Sequence, residues 1–576
     1  MTDTATPPRA PTLIPGDRRP ALLRVVSAAR PVGWRLLLAA LLGALAIGSS
    51  VGLLAASAFL ISKAALHPPI LELGVAIVAV RAFGIGRGVF RYAERLFGHD
   101  AAFRSLTDLR LAMFDRLSTL APAGARLWRG GDLLSRLVAD VDSMLDLYLR
   151  VLLPYLVAVM VGSASVLLVA LFVPAAAVAL AVALLVGGVL VPALSLRSAN
   201  RSQRMAAPAV GALTADTVTM LDGAAEFIAL GEPDRMLERI RAVDAELTTV
   251  AARGAKSNAL SAAIGALAQG GAVVAALILG TQAVTTGALD GVSLALVVFV
   301  PLAAYEAVQA LPSAILCLAR VRTSAERIVE IVDADDPVPD PVQPCDLPDT
   351  LAPGRLCVDG LSAGWESDRW VVEGVNLTLE SGSSTALVGP SGSGKSTVAA
   401  AIARFAPSQG HIDFDGRDIR TLSGDDVRRI VGVAPQDCHL FDTTIAENVR
   451  LARRSATDEE ISEILDELGL GPWLESLPNG LGTDVGRFGR SVSAGQRQRI
   501  GLARVLVSEQ PVVVVDEPTE YLDADSAELV IETLRRRCSR RALLVISHRE
   551  ADVASCDHVV RLPPPDLAAA NDRNTR

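Results

Sequence analysis

Six long apolar stretches dominate the pattern of the chain. Each is long enough to cross roughly 30 Å of hydrocarbon as a helix. Very short connections join the stretches into three hairpins, and two long segments, 91–150 and 197–256, separate the hairpins. The pattern therefore predicts six membrane spans, at 36–62, 70–90, 152–172, 175–196, 259–284 and 292–311.

The charges between the stretches indicate which way the spans run. The short connections carry almost no Lys or Arg, whereas both long segments and the N-terminal arm are rich in Arg. Because positive residues accumulate in cytoplasmic loops, both termini and both long segments are expected in the cytoplasm. Within the long segments, 104–120 and 132–148 have apolar residues at helical spacing, so the spans are expected to continue as helices beyond the bilayer.

The character of the chain changes after residue 319. A stretch rich in Pro and Asp is typical of a linker, and short β-branched runs then alternate with helical patterns. That alternation predicts an α/β domain with a largely parallel sheet. The predicted divisions are a disordered arm (1–20), a six-helix membrane domain with long cytoplasmic loops (21–330), a linker (331–353), the α/β domain (354–562) and a flexible tail (563–576).

The strongest chemical signal is GPSGSGKST at 389–397, between a predicted strand and a predicted helix. It matches the phosphate-loop pattern GxxxxGK[ST] in the strand–loop–helix context that phosphate binding requires. Glycine amides can turn towards phosphate oxygens, and the following helix adds its positive end. We expect Lys395 to reach the β- and γ-phosphates of ATP and Ser396 to ligate Mg²⁺. The predicted nucleotide-binding residues of this loop are Gly389, Ser391, Gly392, Ser393, Gly394, Lys395, Ser396 and Thr397.

The run VVVVDE at 512–517 supplies a second part of the same chemistry. Four consecutive valines predict a strand that is buried on both faces. Asp516 at its end is expected to hold Mg²⁺, and Glu517 to accept a proton from the attacking water. A helix cap is the alternative role for this carboxylate pair, and the upstream phosphate loop favours the catalytic one.

Overall composition supports the membrane spans and excludes one class of partner. Hydrophobic residues make up 51 % of the chain, and the formal net charge is −9. Soluble chains are usually less apolar, and nucleic-acid binding needs concentrated Lys and Arg, so no nucleic-acid partner is expected. The six cysteines form no CxxC pair, which indicates reduced structural thiols.

The segment SVSAGQRQR at 491–499 resembles the LSGGQ signature of ABC transporters. VAPQ, TEYLD and VISH occur in the order typical of that family and end at Gln436, Asp523 and His548. The resemblance implies that Gln436 contributes to catalysis and to Mg²⁺ binding, and that His548 contacts the γ-phosphate. It places Trp365 where the family stacks an aromatic ring on adenine, although an ordinary Trp at a strand end is the alternative.

The same resemblance implies that two cassettes pair head to tail, with each ATP between the phosphate loop of one and the signature of the other. Ser493, Gly495 and Gln496 are then expected to contact the ATP held by the partner, and Asp523 to take part at the same interface. The fold expected from the resemblance is a six-span ABC exporter domain of the type IV (type I-like) class, fused to an α/β P-loop ATP-binding cassette.

Within the exporters, the segments 86–104, 131–154 and 516–523 resemble CydC-type subunits. Those subunits pair with CydD-type subunits in a bacterial thiol exporter that is required for cytochrome bd assembly. The resemblance implies an ATPase in the bacterial inner membrane that exports cysteine or a small glutathione-like thiol as a heterodimer. An exporter of lipid or drug, and a mainly regulatory haem-sensing subunit, are the alternatives.

Several positions depart from the family pattern. Val492 and Ala494 replace Leu and Gly of LSGGQ, and Glu520 and Tyr521 replace a usual Ser-Ala pair. The GExG pattern ahead of the signature reads GRFG at 486–489, so its acidic residue is missing. These departures predict that the two ATP sites of the dimer are unequal.

A basic stripe lies at the cytoplasmic end of the second span. Arg87, Arg91, Arg95 and His99 recur every four residues, which places them on one helical face. Lipid does not accommodate such a stripe, so it must face protein, water or headgroups. The arginines could hold the carboxylates of an anionic thiol peptide, or His99 could ligate haem with arginines on the propionates. Snorkelling of a positive helix end is the simplest account of the arginines.

Overall fold

The computed structural model describes residues 17–28, 33–128, 130–231, 233–365, 369–486, 489 and 491–564. The chain forms two compact units. The membrane unit holds the described residues of 1–116 and 129–334, and the cassette unit holds those of 117–128 and 335–576. Most of the predicted arm and tail, and positions 487 and 488 of the GRFG segment, lie outside the described residues.

The membrane unit is built from long helices. Three π-helical turns, Arg136–Asp140, Leu147–Leu152 and Val186–Leu190, and one 3-10 turn, Tyr305–Val308, join consecutive α-helical segments. The α-helices are α1 (Ala21–Ala28), α2 (Gly33–Ala64), α3 (Ile70–Leu120), α4 (Gly130–Ser135), α5 (Val141–Asp146), α6 (Leu153–Ala170), α7 (Pro174–Leu185), α8 (Val191–Asp222), α9 (Ala224–Ala229), α10 (Pro233–Thr285), α11 (Gly291–Ala304) and α12 (Leu311–Asp333).

Within the described residues, six helical rods are long and apolar enough to cross a membrane, which confirms the six predicted spans. Small residues let these rods approach closely, as is usual where the surrounding solvent is as apolar as the side chains. A Cβ on Gly280, for example, would lie 2.5 Å from Leu294 Cδ1. The rods are Gly33–Ala64, Ile70–Leu120, Gly131–Ala170, Pro174–Ala199, Leu237–Thr285 and Gly291–Asp333.

The predicted continuation of the spans as helices is also confirmed, since α3 alone runs for 51 residues. Beyond the apolar regions, ion pairs join these helices. Asp140 is buried and accepts from Ser324 Oγ at 2.8 Å and from Arg327 Nε at 2.8 Å. A buried charge is stable only when it is paired and hydrogen-bonded, so this cluster fixes the register between the π turn at Asp140 and α12.

The described part of the cassette unit contains two sheets. A parallel sheet has the order β6-β7-β8-β3-β9, and an antiparallel sheet has the order β2-β1-β4-β5. The parallel sheet was predicted, whereas the antiparallel sheet is an addition. The strands are β1 (Leu356–Ala363), β2 (Val372–Leu379), β3 (Ser384–Val388), β4 (Ser408–Phe414), β5 (Arg417–Asp418), β6 (Val431–Ala434), β7 (Val512–Asp516), β8 (Ala542–Ile546) and β9 (His558–Arg561). The helices are α13 (Lys395–Ile402), α14 (Gly424–Ile430), α15 (Ile445–Arg450), α16 (Asp458–Glu467), α17 (Gly471–Ser476), α18 (Ala494–Val507), α19 (Ala524–Arg537) and α20 (Glu550–Ala554).

Strand β7 is the centre of the cassette core. All five of its residues are buried, and the valines alternate between two apolar clusters on the two faces of the sheet. Residues 117–128 belong to the compact cassette unit, with Leu120 and Ala123 buried, although the sequence predicted a membrane domain spanning 21–330 without interruption. Helix α12 ends at Asp333, three residues into the predicted linker.

Candidate nucleotide-binding site

The phosphate loop lies between the buried strand β3 and helix α13. Gly392 and Gly394 have φ angles of +78° and +89°, in the left-handed region that favours glycine. Lys395 begins the helix, and its Nζ donates to the carbonyl oxygens of Gly389 at 2.9 Å and Pro390 at 3.1 Å. The loop therefore curls around the lysine ammonium group, and the contact of Lys395 with the phosphates of ATP stays a prediction.

The residues of this loop fit a phosphate group. Ser393 Oγ is buried and, within the part of the chain that the structure describes, has no hydrogen-bond partner. An unpaired buried hydroxyl is unfavourable unless a ligand or water completes it. A hydroxyl, an ammonium group and the first amides of α13 together offer donors to an anion. The triphosphate of ATP is the anion that the sequence motif specifies.

Two of the three predicted magnesium ligands, Asp516 and Ser396, meet at the end of β7. Asp516, at the carboxyl end of β7, is 7 % exposed, and the side chain of Ser396 hydrogen-bonds to it. Burial raises the pKa of Asp516, and the bond from Ser396 opposes that rise. A carboxylate and a hydroxyl beside the phosphate loop are ligands that suit Mg²⁺, which usually keeps several waters and binds through few protein groups.

Glu517 lies in a strained backbone conformation. Its φ is +49°, which is uncommon for any residue other than glycine. Its amide donates to the carbonyl of Ile546 at 2.8 Å, and its own carbonyl accepts from Gln498 Nε2. These two hydrogen bonds stabilise the strained conformation of Glu517. Backbone strain of this kind is characteristic of functional sites.

Glu517 and His548 form a pair. Glu517 Oε2 lies 2.7 Å from His548 Nδ1, and the side chains are 15 % and 58 % exposed. Strands β7 and β8 are neighbours in parallel register, so the residues that follow their carboxyl ends converge at one sheet edge. The structure thus brings together two residues that stand 31 positions apart in the sequence. His548 Nε2 is the ring nitrogen directed away from Glu517.

Gln436 has a contact that the sequence analysis did not anticipate. It follows β6, and its Nε2 donates to Glu520 Oε2 at 2.8 Å. Glu520 stands where the family pattern has a small residue, and that replacement was the only signal in the sequence. A carboxylate oxygen accepts a hydrogen bond here, so the amide of Gln436 must turn its NH₂ group towards Glu520. The amide oxygen of Gln436 then points away from Glu520.

The signature and the TEYLD segment each contain the residue that caps the start of a helix. Ser493 Oγ accepts from the amide of Gln496 at 3.2 Å, and the amide of Ser493 donates to Gln496 Oε1 at 2.8 Å, which is a capping box. Asp523 caps α19 by accepting from the amide of Ser526 at 2.9 Å, and this bond holds the pKa of Asp523 below its usual range. Gly495 packs closely, since a Cβ there would lie 3.0 Å from the carbonyl of Tyr521. The contacts of Ser493, Gly495, Gln496 and Asp523 with a partner's ATP stay predictions.

Two further sequence-derived sites stay predictions as well. Trp365 is half-buried just beyond β1, next to residues outside the described part. In the basic stripe, Arg87 Nη2 lies 3.8 Å from Glu306 Oε1, and His99 Nδ1 bonds to the carbonyl of Arg95 at 2.8 Å. That bond orients the exposed imidazole of His99 but does not identify a haem or a thiol peptide as its ligand.

A six-span membrane unit joined to a phosphate-loop cassette defines a membrane transporter driven by ATP hydrolysis. Two family models match: the ABC transporter transmembrane region over residues 34–302 and the ABC transporter over residues 372–520. The chain belongs to the ABC transporter family.

Relatives extend over nearly the whole chain. It is 32 % identical to the glutathione/L-cysteine transport system ATP-binding/permease protein CydC of Escherichia coli (strain K12), covering 92 % of each protein. It is 31 % identical to the corresponding protein CydD of Bacillus subtilis (strain 168), covering 93 % of this chain and 94 % of that one. The predicted resemblance to CydC-type subunits is thereby confirmed.

A solved structure shares the fold. A bacterial Atm1-family ABC exporter with ATP bound matches with a TM-score of 0.78 at 22 % identity, over 94 % of this chain and 97 % of that one. The exporter fold predicted from the sequence is confirmed, and the chain is an ATPase coupled to membrane transport.

Proposed function

We propose that the chain is one subunit of a heterodimeric exporter that moves cysteine or a small glutathione-like thiol out of the cytoplasm and so supports cytochrome bd assembly. The observation that carries this proposal is the similarity, over 92 % of both chains, to a glutathione/L-cysteine transport protein. The partner is a CydD-type subunit. The arginine-rich cytoplasmic segments support a location in the bacterial inner membrane with both termini and the cassette in the cytoplasm.

In the proposed mechanism, Lys395 and the loop amides hold the phosphates of ATP, while Ser396, Asp516 and Gln436 hold Mg²⁺. The ion supplies charge stabilisation when it is bound. Glu517 accepts the proton of the attacking water through its carboxylate. Closure of the two cassettes around ATP turns the membrane helices outward, and hydrolysis resets them.

His548 and the signature complete the two ATP sites. His548, oriented through Nδ1 by Glu517, presents Nε2 to the γ-phosphate. Ser493, Gly495 and Gln496 complete the site whose phosphate loop belongs to the partner. The replacements at Val492 and Ala494 alter that second site only, which supports unequal sites and a partner that is a different protein.

The test is transport by the assembled pair. Co-expression with a CydD-type subunit should give a stable complex, and inverted vesicles containing it should accumulate labelled cysteine or glutathione only with ATP. Vesicles carrying Lys395→Ala, which lacks the phosphate-binding ammonium group, are the control. ATPase stimulation by lipids or drugs, with no thiol uptake, would instead support the alternative exporter function.

The bond between Glu520 and Gln436 leads to a separate prediction. Glu520→Ser removes the acceptor, so the orientation of the Gln436 amide is lost and the Mg²⁺ concentration for half-maximal ATPase should rise about three- to tenfold, the worth of one hydrogen bond. Glu520→Gln still offers a carbonyl oxygen and should stay within about twofold of the original protein. A magnesium titration of ATPase activity in the complex measures both variants. If both need the same Mg²⁺ concentration for half-maximal ATPase, the role given to Glu520 is contradicted.

A further inference from the structure

The cassette unit contains a buried carboxylate that the proposed mechanism does not use. It belongs to Asp552 on helix α20, a residue that is only 3 % exposed. Its Oδ2 accepts from Thr519 Oγ1 at 2.5 Å and from Ser547 Oγ at 2.7 Å. Thr519 and Ser547 are buried as completely as Asp552. The three side chains therefore form one hydrogen-bonded cluster in the interior of the cassette unit.

The two hydroxyls of this cluster come from the two loops that carry Glu517 and His548. Thr519 lies two residues after Glu517, in the loop that follows β7. Ser547 directly precedes His548, in the loop that follows β8. A single oxygen of Asp552 therefore bridges the two loops within two residues of the proposed general base and of the proposed γ-phosphate contact.

A second bridge between the loops runs through Arg549. Its Nη1 donates to the carbonyl of Thr519 at 3.1 Å, and its amide donates to Ser547 Oγ at 3.1 Å. Ser547 Oγ thus accepts one hydrogen bond while it donates another to Asp552, as a hydroxyl can. Because these bonds share Thr519 and Ser547, they form a small network that fixes the separation of the two loops.

The carboxylate of Asp552 is better suited to fixing geometry than to adding stability. Among the described residues, no Lys, Arg or His forms an ion pair with it. Burying a carboxylate without an opposite charge is costly, and apolar side chains can often fill such a space at lower cost. Hydrogen bonds to a charged acceptor are, however, short and strong. Two such bonds from different loops hold those loops in one relative position.

The contact between Glu517 and His548 depends on that relative position. It joins the same two loops, with Glu517 Oε2 2.7 Å from His548 Nδ1. Glu517 also holds a left-handed φ of +49°, a strained conformation that persists only when its surroundings impose it. A shift of about 1 Å in either loop would break the contact and displace the carboxylate, and misplacements of this size can slow a reaction about a hundredfold.

We propose that Asp552 is a positioning residue for ATP hydrolysis. It holds the loops after β7 and β8 together and so sets the placement of Glu517 and His548, through which it acts. The roles of Glu517 and His548 rest on the proposed function, whereas the bridge between the two loops does not.

The experiment removes one hydroxyl of the cluster, because an apolar residue at 552 would leave two buried hydroxyls unpaired and disturb folding. Thr519→Val keeps the shape of the side chain without its donor, and Thr519→Ser keeps the donor. ATPase is measured in the complex with a CydD-type subunit whose phosphate-loop lysine is replaced by Ala. Thr519→Val should lower kcat about ten- to a hundredfold with KM for ATP within about twofold, and Thr519→Ser should stay within about threefold of the original protein.

Ser555→Ala is the matched control. Ser555 Oγ donates to the carbonyl of Asp552 at 2.6 Å, so this variant removes a hydroxyl that is bonded to the same residue but not to either loop. It should leave kcat unchanged.

Two further measurements separate positioning from a general loss of structure. Hydrogen exchange in peptides covering 516–523 and 545–552 should become faster in Thr519→Val and not in Thr519→Ser, because the variant without the donor frees both loops. Combined with Glu517→Gln, Thr519→Val should lower kcat by less than about threefold further, since residues that act as a unit do not have additive effects.

The outcomes distinguish this proposal from the proposed function. An unchanged kcat in Thr519→Val overturns the positioning role, as does an equal loss in Ser555→Ala. If Glu517→Gln is impaired and the loss from Thr519→Val multiplies with it in full, the role is overturned as well. If instead Glu517→Gln turns over normally while Thr519→Val lowers kcat and speeds exchange in both loops, the role proposed for Glu517 fails and the positioning role stands through His548.

Discussion

Replacing Glu517 by Gln should lower ATP hydrolysis at the site on this chain by about 10²- to 10⁴-fold, the usual contribution of a general base. Glutamine has nearly the same shape but cannot accept the proton of the attacking water. It can still bond to His548, because its amide offers both a donor and an acceptor to Nδ1. ATP binding should therefore be retained, and the variant should accumulate with nucleotide bound.

ATP hydrolysis must be measured at the site on this chain alone, because the partner carries its own phosphate loop. We would compare a complex that contains the original chain with one that contains the Glu517→Gln variant. In both complexes the partner's phosphate-loop lysine is replaced by Ala. Glu532→Gln, an exposed carboxylate on α19, controls for the loss of one negative charge. Normal turnover by Glu517→Gln in this background would contradict the proposed role of the carboxylate, and loss of ATP binding would make its role structural.

Gly394→Ala should weaken ATP binding by at least about a hundredfold, or roughly 2.7 kcal/mol. The left-handed φ of +89° already costs a residue with a Cβ about 1–2 kcal/mol. In addition, the new Cβ would overlap Val372 Cγ1 and lie 3.1 Å from Val371 Cγ1. The loop must then move away from the position in which its amides face the phosphates.

Gly392→Ala is the matched control for that prediction. Its φ of +78° is similarly left-handed, but nothing lies within 4 Å of the added Cβ. It should therefore show only the conformational cost and weaken binding about tenfold. Titration with a fluorescent ATP analogue, together with thermal unfolding of the nucleotide-free complex, separates lost affinity from lost folding. Equal effects of the two substitutions would show that contact with Val372 is unimportant.

Much of this architecture could be predicted because its signals are local in the chain. Hydropathy identifies spans, since about twenty apolar residues in a row rarely occur in a domain that is surrounded by water. The phosphate loop is recognisable because glycine, lysine and serine must stand at fixed spacing around one anion. Both kinds of signal depend on residues that lie next to one another in sequence.

The features that escaped prediction depend on residues far apart in sequence. The 3-10 turn at Tyr305–Val308 leaves hydropathy unchanged, although Pro301 inside α11 and Pro312 at the start of α12 could have indicated it. The antiparallel sheet pairs β1 with β4 across more than forty residues. The bond between Gln436 and Glu520 joins two loops that follow different strands, so only the order of strands in the sheet brings them together.

The inclusion of residues 117–128 in the cassette unit has a consequence for how such a protein can be divided. The chain enters that unit twice, so no single cut separates a complete cassette from a complete membrane unit. A cassette that began at residue 335 would lack the buried Leu120 and Ala123 and would leave the apolar surface around them open to water. If the gene were split before residue 335, residues 117–128 would stay on the first polypeptide and the rest of the cassette would be on the second. The two polypeptides would therefore associate, with residues 117–128 binding the cassette as a ligand.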